Sequence, residues 1–133
     1  MRLRVGLVGC GVQGKAHLQS FRELGSTEIV GICDIDPARL EVAGQKFEFE
    51  HLYGDYRDML EAQRFDLVSV CSMPVSHREI AVAALKAGAH VLCEKPMAMN
   101  RDEAQEMVRA AERAGRFVTV GFKACATWEQ RRP

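Results

Sequence analysis

No charge of either sign dominates this chain of 133 residues, in which 18 basic side chains stand against 18 acidic ones. That balance gives little support to nucleic-acid binding by phosphate neutralisation. Long apolar runs are also missing, and the longest fall far short of the roughly 20 residues of a membrane-spanning helix. The opening Met1-Arg2-Leu3-Arg4-Val5-Gly6 has no extended apolar core or cleavage site, so no secretory signal is read there. Five cysteines, an odd number without C-x-x-C spacing, fit a reducing, cytoplasmic setting. His17, His51, His77 and His90 lack close metal-ligand spacing, and no metal site is expected.

What remains is the composition of one globular domain. Apolar residues make up 47% and charged residues 27%, and a chain of this length can bury about 70% of its unfolded surface. Short apolar, β-branched runs at Leu3–Val8, Glu28–Cys33, Leu67–Ser72, Ala89–Cys93 and Phe117–Phe122 read as strands, with a short edge strand at Phe49–Tyr53. Cys33, Cys71 and Cys93 fall at strand ends as small hydrophobes. Helical periodicity fills the intervals: Leu18, Phe21 and Leu24 share one face, as do Leu40, Ala43, Gly44 and Phe47, and later Ala104, Met107, Val108, Ala111 and Ala114. Asp36-Pro37 signals a helix start, and Ser76-x-x-Glu79 and Asn100-x-x-Glu103 read as capping boxes. Gly25, Gly88 and Gly115 stand where left-handed helix ends are expected. Repeated βαβ units of this kind predict an α/β fold: a doubly wound parallel sheet of Rossmann type, strand order 3-2-1-4-5-6, with its ligand crevice at the strand carboxyl ends.

One segment carries chemistry at that edge. Val8-Gly9-Cys10-Gly11-Val12-Gln13-Gly14 contains G-x-G-x-x-G between the first strand and first helix. Gly9 allows the tight turn, Gly11 the approach of a pyrophosphate and Gly14 the packing of helix on strand. The helix N-terminus offers unpaired N–H groups and partial positive charge, so Val12 and Gln13 join the phosphate-side residues. Asp34, 20 residues beyond Gly14, is placed to accept hydrogen bonds from a ribose diol. An acid there favours NAD over NADP, whose 2′-phosphate it would repel, although Arg39 on the next helix could soften that penalty.

Three further segments end at the same edge: Cys71-Ser72-Met73-Pro74-Val75-Ser76-His77, His90-Val91-Leu92-Cys93-Glu94-Lys95-Pro96 and Gly121-Phe122-Lys123. With them the chain resembles the N-terminal nucleotide-binding domain of the Gfo/Idh/MocA family of sugar and cyclitol oxidoreductases, from about Leu3 to Phe122. The most specific part is Ala87-Gly88-x-His90-Val91-Leu92-x-Glu94-Lys95-Pro96. The resemblance implies a nicotinamide dinucleotide cofactor and hydride transfer to or from a hydroxyl carbon. It implies that Lys95 is the catalytic, substrate-side residue, that Glu94 sits beside the nicotinamide, and that Pro96 stiffens the turn through a cis bond. It also places Ser72, Pro74 and His77 along the adenosine and nicotinamide-ribose side. A lysine just past a buried strand can polarise a hydroxyl or carbonyl oxygen, which agrees.

The resemblance implies a second, larger domain with a D-x-x-x-H acid/base pair, and neither is found in these 133 residues. Residues 1–122 therefore read as the dinucleotide-binding domain and 123–133 as a tail outside the family pattern. A sugar-like substrate is expected only if another chain completes the site. A stand-alone dinucleotide sensor, such as those attached to ion transporters, is the alternative, and a CoA-binding domain a third. Met73, Met97, Met99 and Phe122 are expected to leave apolar surface beside the site, with weak self-association and Trp128 folded near the crevice or poorly ordered.

Overall fold

The computed structural model describes residues 1–121. Strand and helix alternate: β1 (Leu3–Val8), α1 (Val12–Glu23), β2 (Thr27–Cys33), α2 (Pro37–Phe47), β3 (Leu52–Tyr53), α3 (Tyr56–Ala62), β4 (Leu67–Val70), α4 (Pro74–Lys86), β5 (His90–Glu94), α5 (Arg101–Ala114) and β6 (Val118–Gly121). The strands form one parallel sheet in the order β3-β2-β1-β4-β5-β6, the arrangement the sequence predicts.

Alternation along the strands divides the core in two. Leu7 and Ile32, paired across β1 and β2, meet Leu18 of α1 and Leu40, Ala43 and Phe47 of α2. Their neighbours Val8 and Cys33, with Val70 and Cys93, meet Met59 of α3, Ile80, Ala84 and Leu85 of α4, and Met107, Ala110 and Ala111 of α5. Helices thus cover both faces, as a doubly wound sheet requires. Each large apolar side chain fully buried in this way is worth about 1.5–3 kcal/mol relative to exposure.

Several helix ends follow the sequence. Asp36 Oδ1 accepts the Ala38 N–H at 2.9 Å, and Asn100 Oδ1 accepts the Glu103 N–H at 2.9 Å. The Glu103 carboxylate reaches back to the Met99 N–H at 3.0 Å. Gly25, Gly88 and Gly115 all have positive φ.

Other expectations are corrected. The Ser76/Glu79 box does not form, because Pro74 with its fixed φ starts α4 three residues earlier and Met73 is the N-cap. Glu79 instead binds the Tyr56 hydroxyl at 2.6 Å. Leu24 is the C-cap of α1 and is exposed, as is Val108 on α5, where Ala110 is buried instead. Between Tyr53 and Leu67, where no apolar face was named, α3 forms, capped by Asp55 and carrying the fully buried Met59. β4 ends at Val70, before Cys71 and Ser72, and β3 is confined to two residues. Phe122, Lys123, Trp128 and the rest of the 123–133 tail lie outside the described residues.

Candidate functional site

The glycine loop joins β1 to α1 at the carboxyl edge of the sheet, and its three glycines serve different needs. Gly9 has φ +98° and its N–H bonds to the Cys33 carbonyl at 2.8 Å. A Cβ on Gly9 would lie 2.5 Å from the Cys71 carbonyl group, and one on Gly14 would lie 1.8 Å from the Gly9 oxygen. Protein packing alone therefore demands Gly9 and Gly14. Gly11 is different: its φ is an ordinary −75°, and a Cβ there would meet nothing within 4 Å. The missing side chain leaves open space beyond the backbone. α1 begins beside it with no side-chain cap and no acid in its first turn. Among the described residues no side chain caps its first N–H groups or neutralises the positive end of its dipole. Val12 and Gln13 are exposed at this end.

Asp34 follows β2 directly and is buried. Its Oδ2 accepts the Cys10 N–H at 2.7 Å, and its Oδ1 accepts the Asp36 N–H at 2.8 Å. Each carboxylate oxygen retains a further lone pair, so the group can hold the loop and still accept from a diol. Arg39 lies 3.6 Å from Asp36 in an exposed ion pair, which adds little to stability.

Across the sheet lies the Glu94-Lys95-Pro96 turn after β5. Lys95 is exposed at the edge, and the Lys95–Pro96 bond is cis. Glu94 does not pair with Lys95 as a surface ion pair. Its Oε1 lies 2.7 Å from His17 Nε2, and its Oε2 accepts the Lys95 N–H at 3.3 Å. His17 Nδ1 in turn meets the Ser69 hydroxyl at 2.7 Å. His17 projects from α1 toward β4 and β5 because it shares the face of Gly14, Leu18 and Phe21. The sequence weighed His17 only as a metal ligand and did not single out Ser69. The available signal was a polar residue on each of two otherwise buried stripes: His17 on the inner face of α1, and Ser69 within Leu67-Val68-Ser69-Val70.

His77 requires a correction. It was expected on the ribose side of the site, but it is fully buried. Nδ1 lies 2.8 Å from the Pro96 carbonyl oxygen and Nε2 lies 2.8 Å from that of Ser72. Carbonyl oxygens only accept, so the neutral ring donates its one N–H to one of the two and packs against the other, buried between the Ser72 bend and the Lys95 turn. Ser72 Oγ bonds Ser76 Oγ at 2.8 Å at the start of α4, where Pro74 fixes the first turn. Met73 and Met99 are exposed nearby, while Met97 packs on the core.

Cys10, Cys33, Cys71 and Cys93 are free and gather where β1, β2, β4 and β5 end. Burial pushes each thiol up to about 12. They behave as small hydrophobes with no nucleophilic role at neutral pH. Among the described residues no helix is long and apolar enough to cross a membrane.

A parallel doubly wound sheet with an open second glycine, an unshielded helix N-terminus and an acid after β2 defines a dinucleotide-binding domain. Residues 3–122 match the Gfo/Idh/MocA model, described as an oxidoreductase family with an NAD-binding Rossmann fold. The chain belongs to this family and is an NAD-binding domain of it. It is 41% identical over 114 residues to a D-apiose dehydrogenase of Paraburkholderia graminis, a match covering 86% of this chain and 30% of that protein. It is 34% identical over 125 residues to an inositol 2-dehydrogenase of Salmonella paratyphi B, covering 92% of this chain and 37% of the relative. The WlbA dehydrogenase from Bordetella pertussis, solved with NADH and UDP-GlcNAcA, superposes with a TM-score of 0.91 at 30% identity, over 98% of this chain and 40% of that one. The chain thus spans about a third of the length of these relatives, 30% and 37% for the two dehydrogenases.

Proposed function

We propose that this chain is the cofactor half of an oxidoreductase that moves a hydride between NAD and a hydroxyl carbon of a sugar or cyclitol. The observation that carries the cofactor reading is the open space over Gly11, the one glycine of the loop that internal packing does not require. Gly9, Gly11 and Gly14 form the cradle for the pyrophosphate, and the N–H groups of Val12 and Gln13 face it at the start of α1. Asp34 takes the adenine-side ribose diol, and Ser72 and Pro74 border the other ribose. NAD, when bound, supplies the hydride acceptor. Glu94 and Lys95 lie beside the nicotinamide, with Lys95 as the catalytic residue whose ammonium polarises the reacting oxygen.

The relatives' names support the substrate class, since they act on an apiose and an inositol. No D-x-x-x-H segment follows Lys95 in this sequence, so a general base for the hydroxyl proton and a wall for the substrate would come from elsewhere. We take residues 1–122 as the dinucleotide-binding unit and 123–133 as a tail. Weak self-association through the exposed Met73 and Met99 belongs to the same reading, as does a cytoplasmic setting, which the four free thiols support. Calorimetric titration of the 133-residue chain with NAD tests the cofactor assignment, and absence of saturable heat refutes it. A screen of polyols and sugars with NAD, followed by absorbance of the reduced cofactor, should stay flat. Robust turnover would mean that Lys95 needs no partner base.

A further inference from the structure

The turn that carries Lys95 is held from two sides by histidines that the reading above does not use. On one side His17 of α1 bonds the Glu94 carboxylate at 2.7 Å and is braced by the Ser69 hydroxyl, also at 2.7 Å. Both the His17 and Glu94 side chains are largely screened, at 15% and 16% exposure. A charge-assisted bond in such surroundings has far more directing power than a surface pair. On the other side the fully buried His77 of α4 has Nδ1 2.8 Å from the Pro96 carbonyl oxygen and Nε2 2.8 Å from that of Ser72, and the Nδ1–H tautomer donates to the turn. Lys95 lies between these two anchor points and is itself exposed.

The positions of the two helices give the arrangement its meaning. α1 is the helix whose N-terminus faces the open space over Gly11, and His17 lies three residues past Gly14 on it. α4 starts directly after the Ser72 bend. The two ends of the dinucleotide site are therefore connected through side chains as well as through the sheet. We propose that His17 and His77 act as positioning residues: together they clamp the Glu94–Pro96 turn and set where Lys95 and Glu94 stand relative to the nicotinamide half of the cofactor. The proposal rests on the NAD-site reading and extends it, because it divides the site into a pyrophosphate–adenosine half independent of the clamp and a nicotinamide half governed by it.

ADP-ribose separates the halves, since it keeps the adenosine, pyrophosphate and second ribose of NAD and lacks only the nicotinamide. Both ligands are titrated calorimetrically into the full chain and into His17→Ala, with circular dichroism to verify the fold. The unaltered chain should bind both ligands; binding neither refutes the NAD-site reading itself. If the clamp operates, His17→Ala loses about tenfold in NAD affinity, roughly one charge-assisted hydrogen bond, while ADP-ribose changes less than about twofold. His17→Gln, which can still donate to Glu94, should recover part of the NAD loss. Equal losses for both ligands would show that His17 serves only the frame of α1, and no loss for either would show that the turn holds itself; each result overturns the proposal. Imidazole ¹⁵N resonances of the unaltered chain give an answer that does not depend on any variant folding. Those of His17 and His77 should shift on adding NAD and stay nearly still on adding ADP-ribose, and identical responses to both ligands contradict the clamp.

Discussion

The carboxylate of Asp34 accepts the main-chain N–H of Cys10 at 2.7 Å, joining the acid after β2 to the glycine loop after β1. One side chain thereby braces the glycine loop and keeps lone pairs free for a further donor. Removing it should cost more than a ribose contact. Asp34→Ala is expected to weaken NAD by about tenfold or more, one decade being about 1.4 kcal/mol. The unaltered chain should bind NAD more tightly than NADP, because a 2′-phosphate would face the carboxylate. Arg39 pairs with Asp36 only at the surface, so its charge can offset part of that repulsion. Calorimetry with both cofactors decides, and equal or tighter NADP binding refutes the preference.

Gly11 and Gly14 should separate binding from stability. Gly11→Ala meets no neighbour and keeps an allowed φ, so its unfolding midpoint should stay within about 0.5 kcal/mol of the parent, while NAD affinity drops because a methyl enters the pyrophosphate space. Gly14→Ala drives a Cβ to 1.8 Å from the Gly9 oxygen and should destabilise by about 1–3 kcal/mol or more. Urea unfolding measures one property and calorimetry the other. A Gly11→Ala protein with undiminished NAD affinity would remove the main support for the cradle.

Alkali should loosen this fold through its thiols. Burial raises Cys10, Cys33, Cys71 and Cys93 from 9.0 to about 12. Below pH 9 the folded and unfolded chains both keep these protons, and stability is unaffected. Between about 9 and 12 the unfolded chain releases protons that the folded chain retains, so stability falls as pH rises. Tyr56, pushed from 10.0 up to about 12 by desolvation and then by its bond to Glu79, acts in the same direction. Urea midpoints should decline from pH 8 to pH 11. Mass-spectrometric mapping at pH 7.5 should find these four thiols slow to alkylate until urea is added.

Met59 tests α3, whose buried face the sequence pattern did not mark. It is fully buried on α3 and packs in the core shared with α4 and α5. Met59→Ala should cost about 2–5 kcal/mol, visible as a lower urea midpoint. A loss below about 1 kcal/mol would mean that α3 contributes little to the core.

Self-association through the carboxyl edge is checked by sedimentation over a concentration range, with and without NAD. Weak, concentration-dependent association is expected, and it should diminish when Met73, 70% exposed, becomes serine. A strictly monomeric chain at high concentration contradicts it.

The strand order, the glycine loop, Asp34, the exposed Lys95 and the identity of the cofactor class were legible in the chain itself. Each rests on local information: period-2 and period-3.6 apolar patterns, caps, and glycines whose spacing follows from a single turn. Boundaries slipped by up to three residues where a neighbouring strand or a proline decided the last hydrogen bond, as at Val70 and Pro74. The deeper misses concern polar side chains. The resemblance put His77 on the ribose side, but its burial depends on how α4 packs; His17 was weighed only as a metal ligand, because Glu94, its partner, lies far along the chain. A buried imidazole has two nitrogens to satisfy, and which groups satisfy them depends on how α1, α4, β4 and β5 pack. By itself the sequence determined the architecture and the place of the glycine loop in it; only the tertiary structure decided how the Lys95 turn is held, because hydrogen bonds between distant segments exist once the sheet has brought them within about 3 Å.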